Sequence, residues 1–314
     1  MLLEGEAFAQ KRELTKHYVM GRMRIFYNDE GVGAVDATDS DSSGVPDQVE
    51  DIAKQLWATH QLFCEVLDFP DPFESERYKG VVCIEASVRD SAEIGGGNGV
   101  AFENQQKCRA IPESQPGEQA LVMAIATKVN AIKNVTPSHE FFHLIQYGAT
   151  YFKTKWYLEG QARWSEHALG LEGVGEGKYS ARGPWPQKPQ ELQQLADMSY
   201  DAEFVLWNPI AARTDSDGLL TPEKLGKELT DLKYSDGSPV VKDHLLTGPE
   251  VMRDILIELS KQDDIAFKEL GYRSWTEENQ RAPENNPYIY KAIMDVLRKR
   301  APPVGRYVIP RRSR

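Results

Sequence analysis

The stretch TPSHEFFH, residues 136–143, contains the pattern H-E-x-x-H. Its threonine is a good N-cap and the proline that follows suits the first helical position, so a helix is predicted to begin here. Side chains four residues apart lie on one face of a helix at about 6 Å, so His139 and His143 can bind one tetrahedral zinc ion, with Glu140 beside the open coordination position. The alternative is a pair of ordinary helix histidines.

Zinc requires a third protein ligand, and the segment WYLEGQARWSE, residues 156–166, supplies two candidates. Glu159 and Glu166 are seven residues apart and are predicted to lie on one helical face. The small residues Gly160 and Ala162 allow this second helix to pack closely. Either carboxylate could therefore reach the metal.

Together these two segments resemble the gluzincin metallopeptidases, in which a glutamate on a second helix is the third zinc ligand. The run from Trp156 to Ala162 is similar to the W-L-x-E-G-x-A motif of the aminopeptidase N group. The pair H-E-F-F-H-x-x-Q and W-x-x-E-[AG]-x-A-x-W also resembles bacterial secreted metallopeptidases. The likeness covers about Thr136 to Leu169. It implies a zincin-like α+β fold, with the active-site helix on an N-terminal mixed sheet and a mainly helical C-terminal lobe.

The resemblance also implies roles for individual residues. His139, His143 and Glu159 would bind zinc, and Glu140 would be the catalytic general base. Glu166 is the alternative ligand, or else a carboxylate that orients an imidazole N–H.

Such sites usually contain a further donor to the developing oxyanion, downstream of the third ligand. Tyr200 is the candidate for this catalytic role, and His244 is the second choice. His167 follows the motif but points away from Glu166 on a helix, so it is predicted to be structural.

The rest of the N-terminal half carries mainly strand signals. Arg22–Tyr27 alternates polar and apolar residues, and Lys79–Ala86 is a short apolar run, so both are predicted strands. Ala120–Thr127 has the same character, although a helix is the alternative. Val49–Phe69 has apolar residues at helical spacing and is predicted to be one long helix. The glycine-rich stretch Gly95–Gly99 is predicted to be a loop.

From residue 135 onward the periodicity is mostly helical. Helices are predicted near 137–152, 156–169, 188–213, 222–231, 249–260, 262–270 and 286–300. Strands first and helices afterward indicate an α+β fold. We predict an N-terminal α/β lobe over residues 1–150, a helical C-terminal lobe over 151–300 and a basic tail over 301–314. The loops Gly95–Gly99 and Gly170–Pro189 are expected to border the cleft.

The composition describes an acidic globular protein: 37 Lys and Arg against 48 Asp and Glu give a net charge of −11 over 314 residues. Such a surface repels nucleic acid and anionic membranes and favours cations. The longest apolar run, Ala120 to Ala126, is too short to span a bilayer. The N-terminus lacks the basic and apolar regions of a signal peptide. We therefore expect the sequence to be that of a mature chain.

The acidic stretch DSDSSGVPDQVE, residues 39–50, fits the twelve-residue calcium loop. Oxygen atoms at alternating positions wrap one cation, a glycine allows the sharp turn, and the last glutamate opens the next helix. The predicted calcium ligands are Asp39, Asp41, Ser43, Val45 through its carbonyl, Asp47 and Glu50. The alternative is a solvated acidic turn. A second likeness at 213–224 fails, because it has Arg213 and Lys224 at the two most important ligand positions.

Three cysteines, Cys64, Cys83 and Cys108, show no C-x-x-C spacing, so at most one disulfide can form. Cys83 and Cys108 both flank predicted strands, but the sequence does not determine the pairing. Weak single calcium loops fill only where calcium is near millimolar, which is outside the cytosol. Together with the family resemblance, this predicts a secreted or periplasmic protein.

The leading hypothesis is a zinc-dependent endopeptidase that cleaves a protein or peptide substrate and carries a structural calcium site. One alternative is a zinc hydrolase that acts on a non-peptide amide. Another is a catalytically inactive zincin-fold module for binding or adhesion, although such a module would have no physical need for Glu140.

Overall fold

A five-stranded mixed sheet forms the centre of the computed structural model, which describes residues 13–170, 191–215 and 218–300. Its strands are β1 (Lys16–Met20), β2 (Met23–Tyr27), β3 (Val81–Arg89), β4 (Gly99–Lys107) and β5 (Gln119–Ala126). Their order across the sheet is β1-β2-β3-β5-β4. The three inner strands are parallel, whereas β1 and β4 pair antiparallel with their neighbours and form the two edges.

The helices occur mainly in the second half of the chain. They are α1 (Asp47–His60), α2 (Thr136–Ala149), α3 (Lys155–Ser165), α4 (Leu192–Ala196), α5 (Asn208–Thr214), α6 (Pro222–Thr230), α7 (Pro249–Glu269), α8 (Glu277–Arg281) and α9 (Asn286–Arg300). Two π-helical segments, Gln61–Val66 and Glu203–Trp207, continue α1 and precede α5. The chain is therefore α+β, as the order of the sequence signals predicts.

One face of the sheet is apolar, and the helices α1 and α2 pack against it. Ile25, Ala86 and Met123 occupy one row across β2, β3 and β5, and all three side chains are buried. Since successive strand residues point to opposite faces, their neighbours Arg24 and Glu85 lie on the other face. That face is covered by an irregular stretch after β4, residues 108–118, which we call the cover segment.

Several predicted boundaries change in the structure. The predicted helix Val49–Phe69 is α-helical only to His60 and then widens to a π-helix that ends at Val66. The predicted helices 249–260 and 262–270 are one continuous helix, because the residue between the two ranges, Lys261, is compatible with a helix interior and Gln262 is buried in it. The predicted strands at 22–27, 79–86 and 120–127 are confirmed, within a few residues.

The predicted helix 188–213 is wrong as one unit. Within its described part, two short α-helices flank a turn and the π-helical segment that ends at Trp207. Gly226, at a φ of 75°, also interrupts the helix predicted at 222–231. The basic tail and residues 171–189 of the predicted cleft loop lie outside the described residues. Among the described helices, none has the length and apolar character needed to cross a bilayer.

Candidate metal centre

The helix α2 carries the H-E-x-x-H pattern from its second turn. Thr136 is the first helical residue and not the N-cap that the sequence predicts. Asn134 supplies the acceptor instead. Its side-chain oxygen accepts hydrogen bonds from the backbone N–H of Thr136 at 2.8 Å and from the Thr136 hydroxyl at 2.6 Å. Pro137 follows in the first turn, where its lack of an N–H costs no hydrogen bond.

Three side chains from α2 and α3 converge at the centre. His139 Nε2 lies 3.2 Å from Glu159 Oε2, and His143 Nε2 lies 3.5 Å from the same oxygen. The two imidazole rings meet edge to face with centroids 4.6 Å apart. One ligand atom from each residue lies within 4.8 Å of the other two. Glu159, and not Glu166, therefore faces both Nε2 atoms.

The other ring nitrogens are held by hydrogen-bond partners behind the centre. His139 Nδ1 donates to Glu166 Oε1 at 2.8 Å, and His143 Nδ1 donates to Gln146 Oε1 at 2.9 Å. The amide of Gln146 is itself fixed, because its nitrogen donates to the carbonyl of Leu158. Because both Nδ1 atoms have acceptors behind the centre, the Nε2 atoms of the two histidines face Glu159, and each can bind a metal ion once it carries no proton.

The electrostatics of the centre suit a bound cation. Burial by itself would raise the pKa of Glu159, but hydrogen bonds with His139 and His143 outweigh it and hold this pKa well below its usual range. Burial would lower the pKa of His139, yet its contacts with Glu159 and Glu166 raise it to about 10. Two imidazole nitrogens and a carboxylate oxygen are the ligand set of a catalytic zinc site, so the residues present fit this metal.

Glu140 lies beside the centre and outside the ligand group. Its side chain is 7% exposed and packs under the edge strand β4, where the backbone N–H of Ala101 donates to it. A Cβ atom at Gly99 would lie 2.7 Å from Glu140 Cγ, so only glycine allows the strand to pass this close. Burial raises the pKa of Glu140, although the nearby histidines oppose this shift.

The strand β4, which packs over Glu140 at its first residue, differs from the loop that the sequence predicts here. Gly99 was assigned to a loop, and Gly95 and Gly96 do adopt positive φ angles there. Gly99–Lys107 nevertheless forms a nine-residue strand. Asparagine, glutamine and lysine give it low strand propensity, so only the short apolar run at residues 100–102 could have indicated it.

Tyr200 lies at the mouth of the centre. Its ring centroid is 6.0 Å from that of His139, and the side chain is 53% exposed. Partial burial, followed by the negative charges of Glu159 and Glu140, raises the pKa of Tyr200 to about 12. Its phenol is therefore a neutral donor at physiological pH. His244 is exposed and, among the described residues, makes no hydrogen bond with the centre; its carbonyl accepts from Leu220.

The segment that carries Tyr200 is fastened to α3 by buried contacts. His167 Nε2 lies 2.6 Å from Glu203 Oε1, and Arg163 contacts both Glu203 and Glu166. His167 thus has the structural role that the sequence predicts. A Cβ at Gly160 would approach Trp207 to 2.7 Å, so the small residue permits packing against this segment.

The acidic loop lies on the surface between β2 and α1. Carboxylate oxygens of Asp39, Asp41 and Asp47 lie within 4.8 Å of one another. The backbone N–H of Ser43 donates to Asp39 and Asp41, each at 3.0 Å, and Gly44 makes the turn with a φ of 85°. The turn that the calcium-loop pattern requires is therefore formed.

The remaining predicted ligands complete this cluster. Ser43 Oγ donates to Glu50 Oε1 at 3.0 Å and lies 3.3 Å from the carbonyl of Val45. Lys54 Nζ lies 3.2 Å from Glu50 Oε2, one turn along α1. The structure thus brings together all six residues predicted for calcium, and a lysine neutralises part of their charge.

The structure describes the second acidic stretch, residues 213–224, except for residues 216 and 217. Asp215 accepts the backbone N–H groups of Gly218 and Gly248 at 2.9 and 3.0 Å. Thr221 caps α6 by accepting from the backbone N–H of Lys224. Both carboxylate oxygens of Asp215 therefore accept backbone hydrogen bonds.

Two of the predicted groups could therefore hold a metal ion: His139, His143 and Glu159 on α2 and α3, and the three aspartates of the surface loop. The identity of each ion stays a prediction. Comparisons of the chain with protein-family models, with curated proteins and with solved structures found no match.

Proposed function

We propose that this chain is a zinc-dependent metallopeptidase with a fold of the zincin type. The observation that carries the proposal is the convergence of His139 Nε2 and His143 Nε2 on one carboxylate oxygen of Glu159. Glu140 lies next to this group without belonging to it. A structural metal site needs only ligands, whereas a hydrolytic site needs ligands and a separate base.

The chain's own residues supply the proton transfers. Bound zinc would act as a Lewis acid and lower the pKa of a water molecule. Glu140 accepts the proton of the attacking water and returns it to the leaving amine, and burial favours this exchange because it raises the pKa of the carboxyl group. Tyr200, still protonated at neutral pH, donates a hydrogen bond to the carbonyl oxygen as negative charge develops on it.

The edge strand β4 supports a peptide as the substrate. Among the strands that the structure describes, it pairs with β5 alone, and its first residue passes directly over Glu140. An extended peptide can add to such an edge through main-chain hydrogen bonds, which would hold a peptide bond beside the base. A small amide would gain little from this edge, so the strand favours endopeptidase activity over hydrolysis of a non-peptide amide.

We also propose a structural calcium ion in the loop of residues 39–50. The six oxygen ligands suit a hard cation. Glu50 is buried in the first turn of α1, so a cation bound to it would connect the loop to the core. Together with the family resemblance, this loop supports secretion or export to the periplasm.

The test combines metal content with a single substitution. Protein purified with added zinc is expected to contain about one equivalent of zinc by mass spectrometry of metals. Glu140→Gln should keep that zinc and lose hydrolysis of casein by about 10³-fold or more, because the base is removed and the ligands remain. Glu228→Gln, an exposed carboxylate on α6, is the matched control and should retain full activity.

The same experiment separates the alternatives. Equal activity of the wild type and Glu140→Gln, or no zinc after supplementation, contradicts the proposal. Cleavage of small acyl amides without casein hydrolysis supports the non-peptide hydrolase. Stoichiometric zinc without hydrolysis of either substrate supports the inactive binding module.

A further inference from the structure

Two cysteines that are distant in sequence meet on the polar face of the sheet. Cys83 and Cys108 are 25 residues apart, yet their Sγ atoms lie 3.5 Å from each other. Cys83 is buried in β3, and Cys108 is half-buried at the start of the cover segment. A shift of about 1.5 Å, within reach of side-chain rotation, would bring the sulfur atoms to bonding distance. We propose that Cys83 and Cys108 form an intramolecular disulfide bond, independently of the proposed zinc chemistry.

Backbone contacts hold the two cysteines together before any bond forms. The N–H of Cys108 donates to the carbonyl of Glu118 at 3.0 Å, which lets the chain cross the start of β5 toward β3. The next residue, Arg109, donates its backbone N–H to Glu85 Oε1 at 2.8 Å. Glu85 is two residues beyond Cys83 and lies on the same face of β3. The approach of the sulfurs is therefore part of the fold.

Two arginine side chains hold the cover segment near its start and in its middle. The Arg109 guanidinium donates to Ser87 Oγ at 2.7 Å. From β2, Arg24 donates to Ser114 Oγ at 2.9 Å, and Ser114 in turn donates to the carbonyl of Arg109. Because these contacts position the segment, a disulfide would connect groups that are already aligned and would add little strain.

The alternative to a disulfide bond between Cys83 and Cys108 is a metal ion bound by these cysteines. Cys83, Glu85 and Cys108 offer three ligand atoms within 4.8 Å of one another. Glu85, however, already accepts the backbone N–H of Arg109 and lies 3.5 Å from its Nε. A cation would have to displace this arginine, whereas a disulfide uses the two sulfur atoms and leaves the ion pair intact.

The reaction requires an oxidant, which we assign to the class of small-molecule disulfides. Cys108 is the more exposed of the two, so its thiolate attacks the external disulfide first, forms a mixed disulfide and releases one small thiol. The thiolate of Cys83 then attacks the sulfur of Cys108, forms the protein disulfide and releases the second small thiol. Two electrons pass from the cysteine pair to the oxidant, whose S–S bond is broken, and the two protons that the cysteines lose are taken up by the two thiolates that leave.

The bond would close a loop that contains the whole of β4. This strand begins over Glu140 at Gly99 and ends at Lys107, next to Cys108. A covalent bond at its far end would restrain the edge strand relative to β3. Cys64 lies on the π-helical segment after α1 and has no part in this contact.

Thiol counting on the whole protein tests the bond. After incubation with oxidised glutathione, unfolding in an alkylating reagent and intact mass analysis, we expect one alkylated cysteine, against three after reduction with dithiothreitol. Peptide mapping should find the linked pair and locate the alkyl group on Cys64. The melting temperature of the oxidised protein should exceed that of the reduced protein by about 5 °C, because the bond constrains the unfolded chain.

Two single variants make the result specific. The Cys64→Ser variant should show two alkylated cysteines after reduction and none after oxidation, and its melting temperature should still rise on oxidation. Cys108→Ser, at the more exposed position, should lose the shift and retain its remaining thiols. Three alkylated cysteines after oxidation, a dimer linked between chains, or a stoichiometric metal that is released by thiol alkylation at Cys83 and Cys108 would each overturn the proposal.

Discussion

The carboxylates of the candidate zinc centre are held by contacts between packed helices, whereas those of the acidic loop are held within one surface turn. At the centre, Glu159 comes from a packed helix and meets two buried imidazoles whose orientation is fixed from behind. In the loop, Asp39 and Asp41 are oriented by the backbone N–H of Ser43 within their own turn. The first arrangement depends on the fold as a whole, and the second depends on a few consecutive residues.

This difference teaches where a cation matters most. The buried ligands are organised by contacts that exist without metal, so zinc would bind to a preformed site and chiefly add chemistry. The loop exposes several like charges at short range, so a cation there would relieve repulsion and chiefly add stability. Activity should therefore respond to changes at the centre, and the melting temperature to changes in the loop.

The largest expected effect separates Glu159 on α3 from Glu166 in the 3₁₀ turn that follows it. Glu159→Gln should weaken zinc binding by about 10³-fold, since the ligands of a site share a binding free energy of roughly 10–16 kcal/mol. Glu166→Gln should weaken it by about 10- to 100-fold, because it only orients His139. Competition with a chromogenic zinc chelator measures both constants. The reverse order would assign Glu166 as the ligand and break the proposed centre.

Next in size is the effect of the phenol at the mouth of the centre. Tyr200→Phe should lower kcat by about 10²-fold, as expected when a donor to a developing oxyanion is lost. Zinc content, KM and melting temperature should stay close to those of the wild type, because the side chain is half exposed. His244→Gln serves as the control and should leave kcat unchanged. A fall in stability without a fall in kcat would identify Tyr200 as a structural residue.

The sequence predicts the local parts of the centre well. The four-residue spacing of His139 and His143 specifies a shared helix face wherever that helix lies. Glu159 and Glu166 were expected on one face of a second helix, but α3 ends at Ser165 and a 3₁₀ turn follows. Both carboxylates still contact His139, Glu159 at Nε2 and Glu166 at Nδ1, so the spacing predicted the shared face but not which carboxylate faces the centre. Their separate positions depend on how α3 packs against α2.

The edge strand shows why the remainder could not be predicted. Gly99–Lys107 is a strand because β5 pairs with it antiparallel, which is a non-local contact that its own polar residues do not signal. The acidic loop is the reverse case: its pattern is contained in twelve consecutive residues, and the positive φ angle of Gly44 agrees with the turn that the pattern predicts. Patterns within one element were predictable, and pairings between elements were not.

A smaller effect tests the loop side of the comparison. A calcium-selective chelator should lower the melting temperature of the wild type by about 5 °C, since calcium at 100 times its Kd contributes roughly 2.7 kcal/mol. Asp41→Ala should have the lower melting temperature at the outset and should not respond to the chelator. Asp231→Ala, an exposed carboxylate at the end of α6, should respond like the wild type. No response in any of the three proteins would leave the loop as a solvated acidic turn.

The smallest effect concerns a buried carboxylate that, unlike Glu159, faces neutral groups. Asp263 on α7 accepts the hydroxyl of Thr150 and the N–H of Tyr151, each at 2.8 Å. Burial raises its pKa to about 6, although these two hydrogen bonds and the charge of Arg77 oppose the shift. Burial thus raises the pKa of Asp263, whereas at Glu159 the two imidazoles outweigh it and lower the pKa.

The sign of the pH dependence follows from that shift. Between pH 4 and 6 the folded protein holds the proton of Asp263 more tightly than the unfolded chain does, so this residue's contribution to stability falls as the pH rises through that window. Asp263→Asn keeps an acceptor for both donors and removes the titration. Relative to the wild type, it should therefore gain about 1 to 2 kcal/mol between pH 4 and pH 7, less than the roughly 3 kcal/mol that the full change in pKa allows. Urea unfolding at both pH values measures this gain. If the difference in free energy of unfolding between the two proteins stays constant from pH 4 to pH 7, Asp263 titrates like an exposed carboxylate. Burial would then not separate the behaviour of this interior carboxylate from that of the carboxylates in the acidic loop.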